Sequence, residues 1–187
     1  MSEAAVAFVF DPAAERARFQ VRQAFLARQA ALRLDLAEGI TFQPETTESV
    51  EDQVAETLWA EGLTLDSAPA EDLAEARASF AVLAPRREAK GLSLVATLFL
   101  GFPDQVRDAR LATLHSLPDQ LRLELSDGSL VAPAVDRGTA GPEDRLPSVL
   151  ALRYLIPDGR TIAALVSNHA EVPGRWPAPA AWGSWPS

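Results

Sequence analysis

The strongest constraint on the fold is a pattern of alternating apolar stretches joined at Asp-Gly pairs. Residues 121–125 read Leu-Arg-Leu-Glu-Leu, residues 126–129 interrupt them with Ser-Asp-Gly-Ser, and residues 130–135 return. Alternation with period two places one set of side chains on one face of a strand. Asp-Gly supplies the left-handed conformation that a tight hairpin turn needs. The arrangement recurs at residues 149–156 and 161–166 around Asp158-Gly159, and at residues 33–36 and 40–42 around Ala37-Glu38-Gly39. Residues 92–102 are apolar almost without interruption, which predicts a strand buried on both faces. Strands joined by such short turns pair antiparallel.

Helical segments lie between the strands. Asp11-Pro12 reads as a helix start, with Val21, Phe25 and Leu32 on one face. Ser49 and Asp52 resemble a capping box, and Val50, Val54 and Leu58 repeat every four residues behind it. A further helix runs from near Pro69 to Pro85 on Leu73, Ala76, Phe80 and Leu83. Another follows Pro103 to about Ser116, with Val106, Ala109 or Arg110, and Thr113 turned inward. The expected fold is α+β: a mainly antiparallel sheet of about six to seven strands built from hairpins, with three to four helices packed largely on one face. Residues 1–172 form the expected single domain. In it an N-terminal strand (residues 4–10) and an arginine-bearing helix, together residues 4–32, pack on the rest. Residues 173–187 read as a Pro/Trp-rich tail.

Composition excludes several function classes. The chain has no cysteine, so disulfides, thiolate metal sites and cysteine nucleophiles are ruled out. No apolar run reaches the length of a membrane helix, and the first residues lack the basic start of a signal peptide. A cytoplasmic location is the expectation. The net charge of −9 disfavours nucleic acid, whose phosphates call for clustered Lys and Arg. That charge is segregated. Residues 34–76 hold twelve acids and no basic residue, whereas the helix before them carries Arg16, Arg18, Arg22 and Arg28 against Glu15. Three readings stand side by side: solvated helix faces, an acidic surface that steers a basic partner, or internal pairing with the arginine helix.

Candidate sites are few. Asp104, Asp108 and His115 fall at helical offsets of four and seven, where they are either weak metal ligands or a solvated face. His169 ends the last expected strand with no Gly-x-Ser-x-Gly elbow anywhere in the chain. Arg86, Arg87 and Lys90 share one loop and suit an anion or plain solvent. There is no Walker loop, and no Gly-x-Gly-x-x-Gly follows a strand, so no cofactor is expected. The acids Glu48, Glu51, Asp52 and Glu56, together with Trp176, Trp182 and Trp185, are the expected interaction residues. The tryptophans either dock on the parent domain or are captured by a partner.

Four stretches carry a family resemblance: residues 53–63 (QVAETLWAEGL) following Phe42, residues 80–85, residues 94–104 (LVATLFLGFPD) with Arg107 or Arg110 after them, and residues 121–135 followed by 148–154 (SVLALRY). In order and spacing, over about residues 33–170, the chain resembles the bacterial domain-of-unknown-function family 3501. The resemblance implies a fold more than an activity, and its gene neighbourhoods imply a setting of redox or stress physiology. The chain departs from the family pattern at three places. Phe42-Gln43-Pro44 replaces a Phe-Glu-Asn segment, Gly101 replaces a glutamate, and Leu150 replaces a polar or histidine position. The expected function is that of a non-enzymatic binding or accessory protein working through protein contacts, with an unknown partner or as a homodimer. The alternative is a small enzyme or metal/ligand-binding protein with a pocket between helices and sheet.

Overall fold

The computed structural model describes residues 12–136 and 146–185. Helix α1 (Pro12–Ala30) leads into the hairpin β1 (Leu34–Ala37) and β2 (Ile40–Pro44). Helices α2 (Thr47–Ala60) and α3 (Ala70–Phe80) follow, then strands β3 (Arg86–Glu88) and β4 (Gly91–Leu100). Helices α4 (Asp104–Thr113) and α5 (Leu117–Gln120) precede β5 (Leu121–Leu125), β6 (Leu130–Val131) and β7 (Ala134–Asp136). Strands β8 (Val149–Ile156), β9 (Ile162–His169) and β10 (Val172–Pro177) come next, and a 3-10 turn spans Ala180–Ser184. The class is α+β with antiparallel pairing among the described strands, as the alternation requires.

The strands divide into two stacked sheets. One has the order β1-β2-β4-β8-β7, with β3 pairing β4; the other has the order β10-β9-β5-β6. Residues 149–156 and 161–166 alternate like a hairpin, yet β8 and β9 never pair. Strand β8 bonds to β4 and β7, and β9 bonds to β5 and β10. Asp158-Gly159 therefore carries the chain from one sheet to the other, with Gly159 at φ 75°. The return run 130–135 is likewise split. Its first part (β6) pairs β5, its second part (β7) pairs β8, and Pro133 lies between them. Proline cannot donate to a ladder, so a sheet change at this point costs little.

The main core fills the space between the sheets. Leu94, Leu98, Leu152 and Tyr154 of the larger sheet meet Leu121, Leu123, Leu125 and Leu165 of the smaller one. Leu111, Leu114 and Leu117, from α4 and the segment behind it, belong to the same core. The inward face of α4 differs from the expected one: Leu111 and Leu114 are buried, while Val106 and Thr113 are exposed. Phe25 of α1 and Leu32 just after it are buried, but Val21 of α1 is exposed. Helix α2 has its expected stripe, with Val54 and Leu58 packed on Ala76 of α3. Its capping box falls three residues earlier than expected, with Thr46 as N-cap and Ser49 as the reciprocating residue. Residues 4–10 and Asp11, the expected first strand and cap, lie outside the described residues.

The last fifteen residues contribute structure wherever they are described. Strand β10 forms the edge of the smaller sheet, and the 3-10 turn brings Trp182 and Trp185 into the core. Trp185 is fully buried. Its indole Nε1 donates to the Glu45 carbonyl at 2.9 Å, and that of Trp182 donates to the Leu32 carbonyl at 2.7 Å. Buried indoles need such acceptors. Here they tie the end of the chain to the start of β1 and to the entry of α2.

Candidate functional site

Alternation along β2 turns Ile40 and Phe42 into the core and sends Thr41, Gln43 and then Glu45 to the opposite, outer face of the larger sheet. Glu45 is only 4% exposed. A carboxylate is seldom buried without partners. The Ser49 hydroxyl donates to its Oε2 at 2.7 Å, the Thr97 hydroxyl donates to Oε1, and Gln53 Nε2 reaches Oε2 at 3.4 Å. These donors are all neutral. The N-terminus of α2 starts two residues later, and its dipole favours negative charge there. The cluster is enclosed by protein. Its chemistry is that of a polar pin that joins β2, β4 and α2.

Beside the pin lies a cavity of about 330 Å³ lined by Arg33, Gly39, Thr41, Gln43, Phe99 and Gly101. Arg33 Nε donates to Asp35 Oδ1 at 2.9 Å, and its Nη2 donates to Thr41 Oγ1 at 3.0 Å. The Thr41 hydroxyl in turn donates to Asp35 at 3.1 Å. Gln43 Nε2 donates to Gln29 Oε1 at 3.3 Å. Gln29 lines a neighbouring cavity of about 290 Å³ together with Arg28, Thr46 and Glu48. The two glutamines thus join the walls of the two cavities. Gly39 is held at φ 72°, and a Cβ there would lie 2.7 Å from the Gly101 carbonyl. A Cβ on Gly101 would meet nothing within 4 Å. The cavity offers hydrogen-bonding groups, one guanidinium already engaged by Asp35, and an aromatic edge. This set suits recognition of a surface group better than bond-breaking, which needs a nucleophile aligned with a base.

The structure places the residues singled out from sequence as follows. Glu48 pairs with Arg28, Glu51 with Arg77 at 3.1 Å, Asp52 with Arg22 at 3.7 Å, and Glu56 also with Arg22. All four acids thus face arginines of α1 or α3. Trp176 is half-buried against the core, while Trp182 and Trp185 are inside it. Asp104 pairs with Arg107 at 2.6 Å on an exposed helix, and Asp108 and His115 are exposed. Among the described residues no three His, Asp or Glu side chains converge as a metal would need. His169 is buried at the end of β9, and its Nδ1 accepts the Glu171 N–H at 3.2 Å. Arg87 pairs with Asp158, and Arg86 pairs with Glu88 at 3.0 Å, which holds the Glu88 carboxyl below its usual range. Two of the three departures from the family pattern, Gln43 and Gly101, line one cavity. The third, Leu150, is buried in the inter-sheet core, on the opposite face of the sheet.

Nothing in the sequence joins Glu45, Thr97 and Gln29, and one weak local signal sets Glu45 apart from the other acids of its stretch. It stands between a strand and a helix N-terminus, where an acid is favoured. Its burial depends on Thr97, 52 residues away.

No curated protein matches the chain. Among solved structures it is similar to a novel protein of unknown function from Burkholderia pseudomallei K96243, at 18% identity and a TM-score of 0.71. The match covers 99% of this chain and 98% of that one. At that identity the likeness is one of fold. The family described as protein of unknown function DUF3501 matches residues 12–173, and the chain belongs to that family.

Proposed function

We propose that this protein is a non-enzymatic accessory protein that acts by contact with another protein, and that the contact face is the uncovered end of the larger sheet. One observation carries the reading. Phe99 and Val149 are register partners on β4 and β8, and they stand 41% and 55% exposed on the outer face. Two positions further along β4 the same face is closed, with Thr97 buried under Glu45. Contiguous apolar surface rimmed by polar groups marks contact sites. Here the rim is the Arg33–Asp35–Thr41 network and the cavity beside it. The partner that fits is a polypeptide that seats an apolar side chain on Phe99 and Val149 and meets Thr41 and Gln43 with polar groups.

This reading moves the contact away from the acidic band and the tryptophans. The acids of α2 already meet arginines of the same chain, and Trp182 and Trp185 hold the core. A photocrosslinking residue at Val149, introduced in the cell of origin, tests it. A defined adduct with another protein is expected, and it should disappear when Phe99→Asp is added. No adduct from Val149, or an adduct indifferent to Phe99→Asp, overturns the reading.

A further inference from the structure

The cavity beside the contact face has a chemistry of its own. Strand register sets Thr41 next to Phe99, and Phe99 next to Val149, in one row across the outer face of the larger sheet. The cavity of about 330 Å³ that Arg33, Thr41, Gln43, Phe99 and two glycines line therefore opens directly beside the exposed apolar pair. Its one cation, Arg33, pairs with Asp35 at 2.9 Å, so the charges there match one to one. Arg33 donates through Nε to Asp35 and through Nη2 to Thr41. A guanidinium carries five N–H donors in a planar fork, and among the described residues Nη1 has no acceptor. Gln43 is the reverse case. Its Nε2 donates to Gln29 Oε1 and reaches the Gln29 and Pro44 carbonyls, while its Oε1 receives no donor among the described residues. The wall at Gly101 is bare backbone, where a Cβ would meet nothing within 4 Å.

We propose that this cavity takes a side-chain carboxamide of the partner protein, from glutamine or asparagine, with its carbonyl on Arg33 Nη1 and its NH2 on Gln43 Oε1. The proposal rests on the contact face at Phe99 and Val149 for the chain that brings the group. Three features select the class. One free donor and one free acceptor lining the same cavity call for a ligand with an acceptor and a donor on separate atoms, which a carboxamide has and a hydroxyl lacks. The matched charge disfavours ions of either sign, because a carboxylate would lie near Asp35 and an ammonium near Arg33, and like charges brought together are costly. Phe99 supplies an apolar wall for the methylene stem that carries the amide.

The test is a chemical-shift titration of the full chain with N-acetylglutamine methylamide, read at the Gln43 side-chain amide and the Phe99 ring. The glutamate and methionine counterparts, similar in length but charged or apolar, serve as controls. Saturable shifts confined to the cavity residues are expected for the glutamine probe, with both controls at least about fivefold weaker, the fold-change of one hydrogen bond. Gln43→Met should weaken the glutamine probe about fivefold and leave the methionine probe unchanged. Gly101→Leu should abolish binding by filling the cavity. Gly101 is not among the glycines of positive φ, so the leucine strains no backbone. The melting temperature of each variant without probe confirms that it folds. Absence of saturable shifts, equal affinity for the three probes, or binding that survives Gly101→Leu in a folded variant overturns the proposal. The Val149 crosslink reads the apolar seat alone. A silent titration with the crosslink intact removes the carboxamide and leaves the contact face, whereas a saturable titration without the crosslink removes the face and leaves the carboxamide site.

Discussion

Glu45 and Trp185 show how much of this fold depends on single side chains. Glu45 receives the Thr97 and Ser49 hydroxyls through its carboxylate and the Trp185 indole through its carbonyl, so β4, α2 and the end of the chain meet at one residue. Thr97→Val keeps the shape and removes a donor to a buried carboxylate. Leaving such a group short of a partner costs about 1–3 kcal/mol, which a urea titration would read as a lower midpoint at unchanged slope. Trp185→Phe should cost about 1 kcal/mol for the lost indole hydrogen bond. Trp185→Ala should cost about 3–5 kcal/mol, because a fully buried indole leaves a cavity. Equal effects of the two substitutions would mean that the hydrogen bond, not the packing, holds the turn. None of this was legible in the sequence. Glu45 reads as one more acid in an acidic stretch, and nothing local marks Thr97 as its partner.

Among the elements, α1 depends most on charge. Its described buried apolar contacts come from Phe25 near its middle and Leu32 just after it, while Arg22 and Arg28 face Asp52, Glu56 and Glu48 of α2. Internal pairing between the arginine helix and the acidic segment was one of three readings open from sequence, and the contacts of α2 follow it. Exposed pairs are worth about 0.2–1 kcal/mol each, and screening grows as the Debye length falls to about 3 Å at 1 M salt. Amide exchange in α1 should therefore quicken severalfold between low and high salt, while that of β4 stays constant. Arg28→Glu alone should have the same effect, and adding Glu48→Arg should reverse it. The smaller sheet depends on charge in another way. The side-chain hydrogen bond from Arg175 holds Glu124 below the usual carboxylate range. Hydrogen bonds from the Ser129 side chain and backbone, followed by the charge of Arg160, do the same for Asp127. A folded value below the unfolded one means stability that is present above about pH 4 and is lost as pH falls through the folded value. Melting temperature should thus drop between pH 5 and pH 3, and the drop should be shallower in Glu124→Gln. An identical pH profile for that variant would remove Glu124 from the account.

At the scale of the molecule, the end of the chain closes the core. Truncation after residue 171 would remove β10, Trp182 and Trp185, leaving β9 as an edge and the Leu32 and Glu45 carbonyls without their indole donors. The truncated protein should lose cooperative unfolding and bind a hydrophobic dye. A sharp melt close to that of the full chain would show that these residues are an appendage. The sequence by itself determined the α+β class, the antiparallel pairing and the central position of β4, because alternation, Asp-Gly turns and four-residue stripes act within a few residues. It also determined that charge is segregated along the chain. Tertiary structure alone decided that the strands form two sheets, because β8 and β9 alternate equally well whether they bond to each other or face each other across a core. It decided that the tryptophans point inward, since an indole in a Pro-rich stretch looks the same before its acceptor is known. It also decided where the acids of α2 point and which apolar side chains, Phe99 and Val149 among them, remain outside. Those outcomes depend on residues tens of positions apart, and a local pattern carries no term for them.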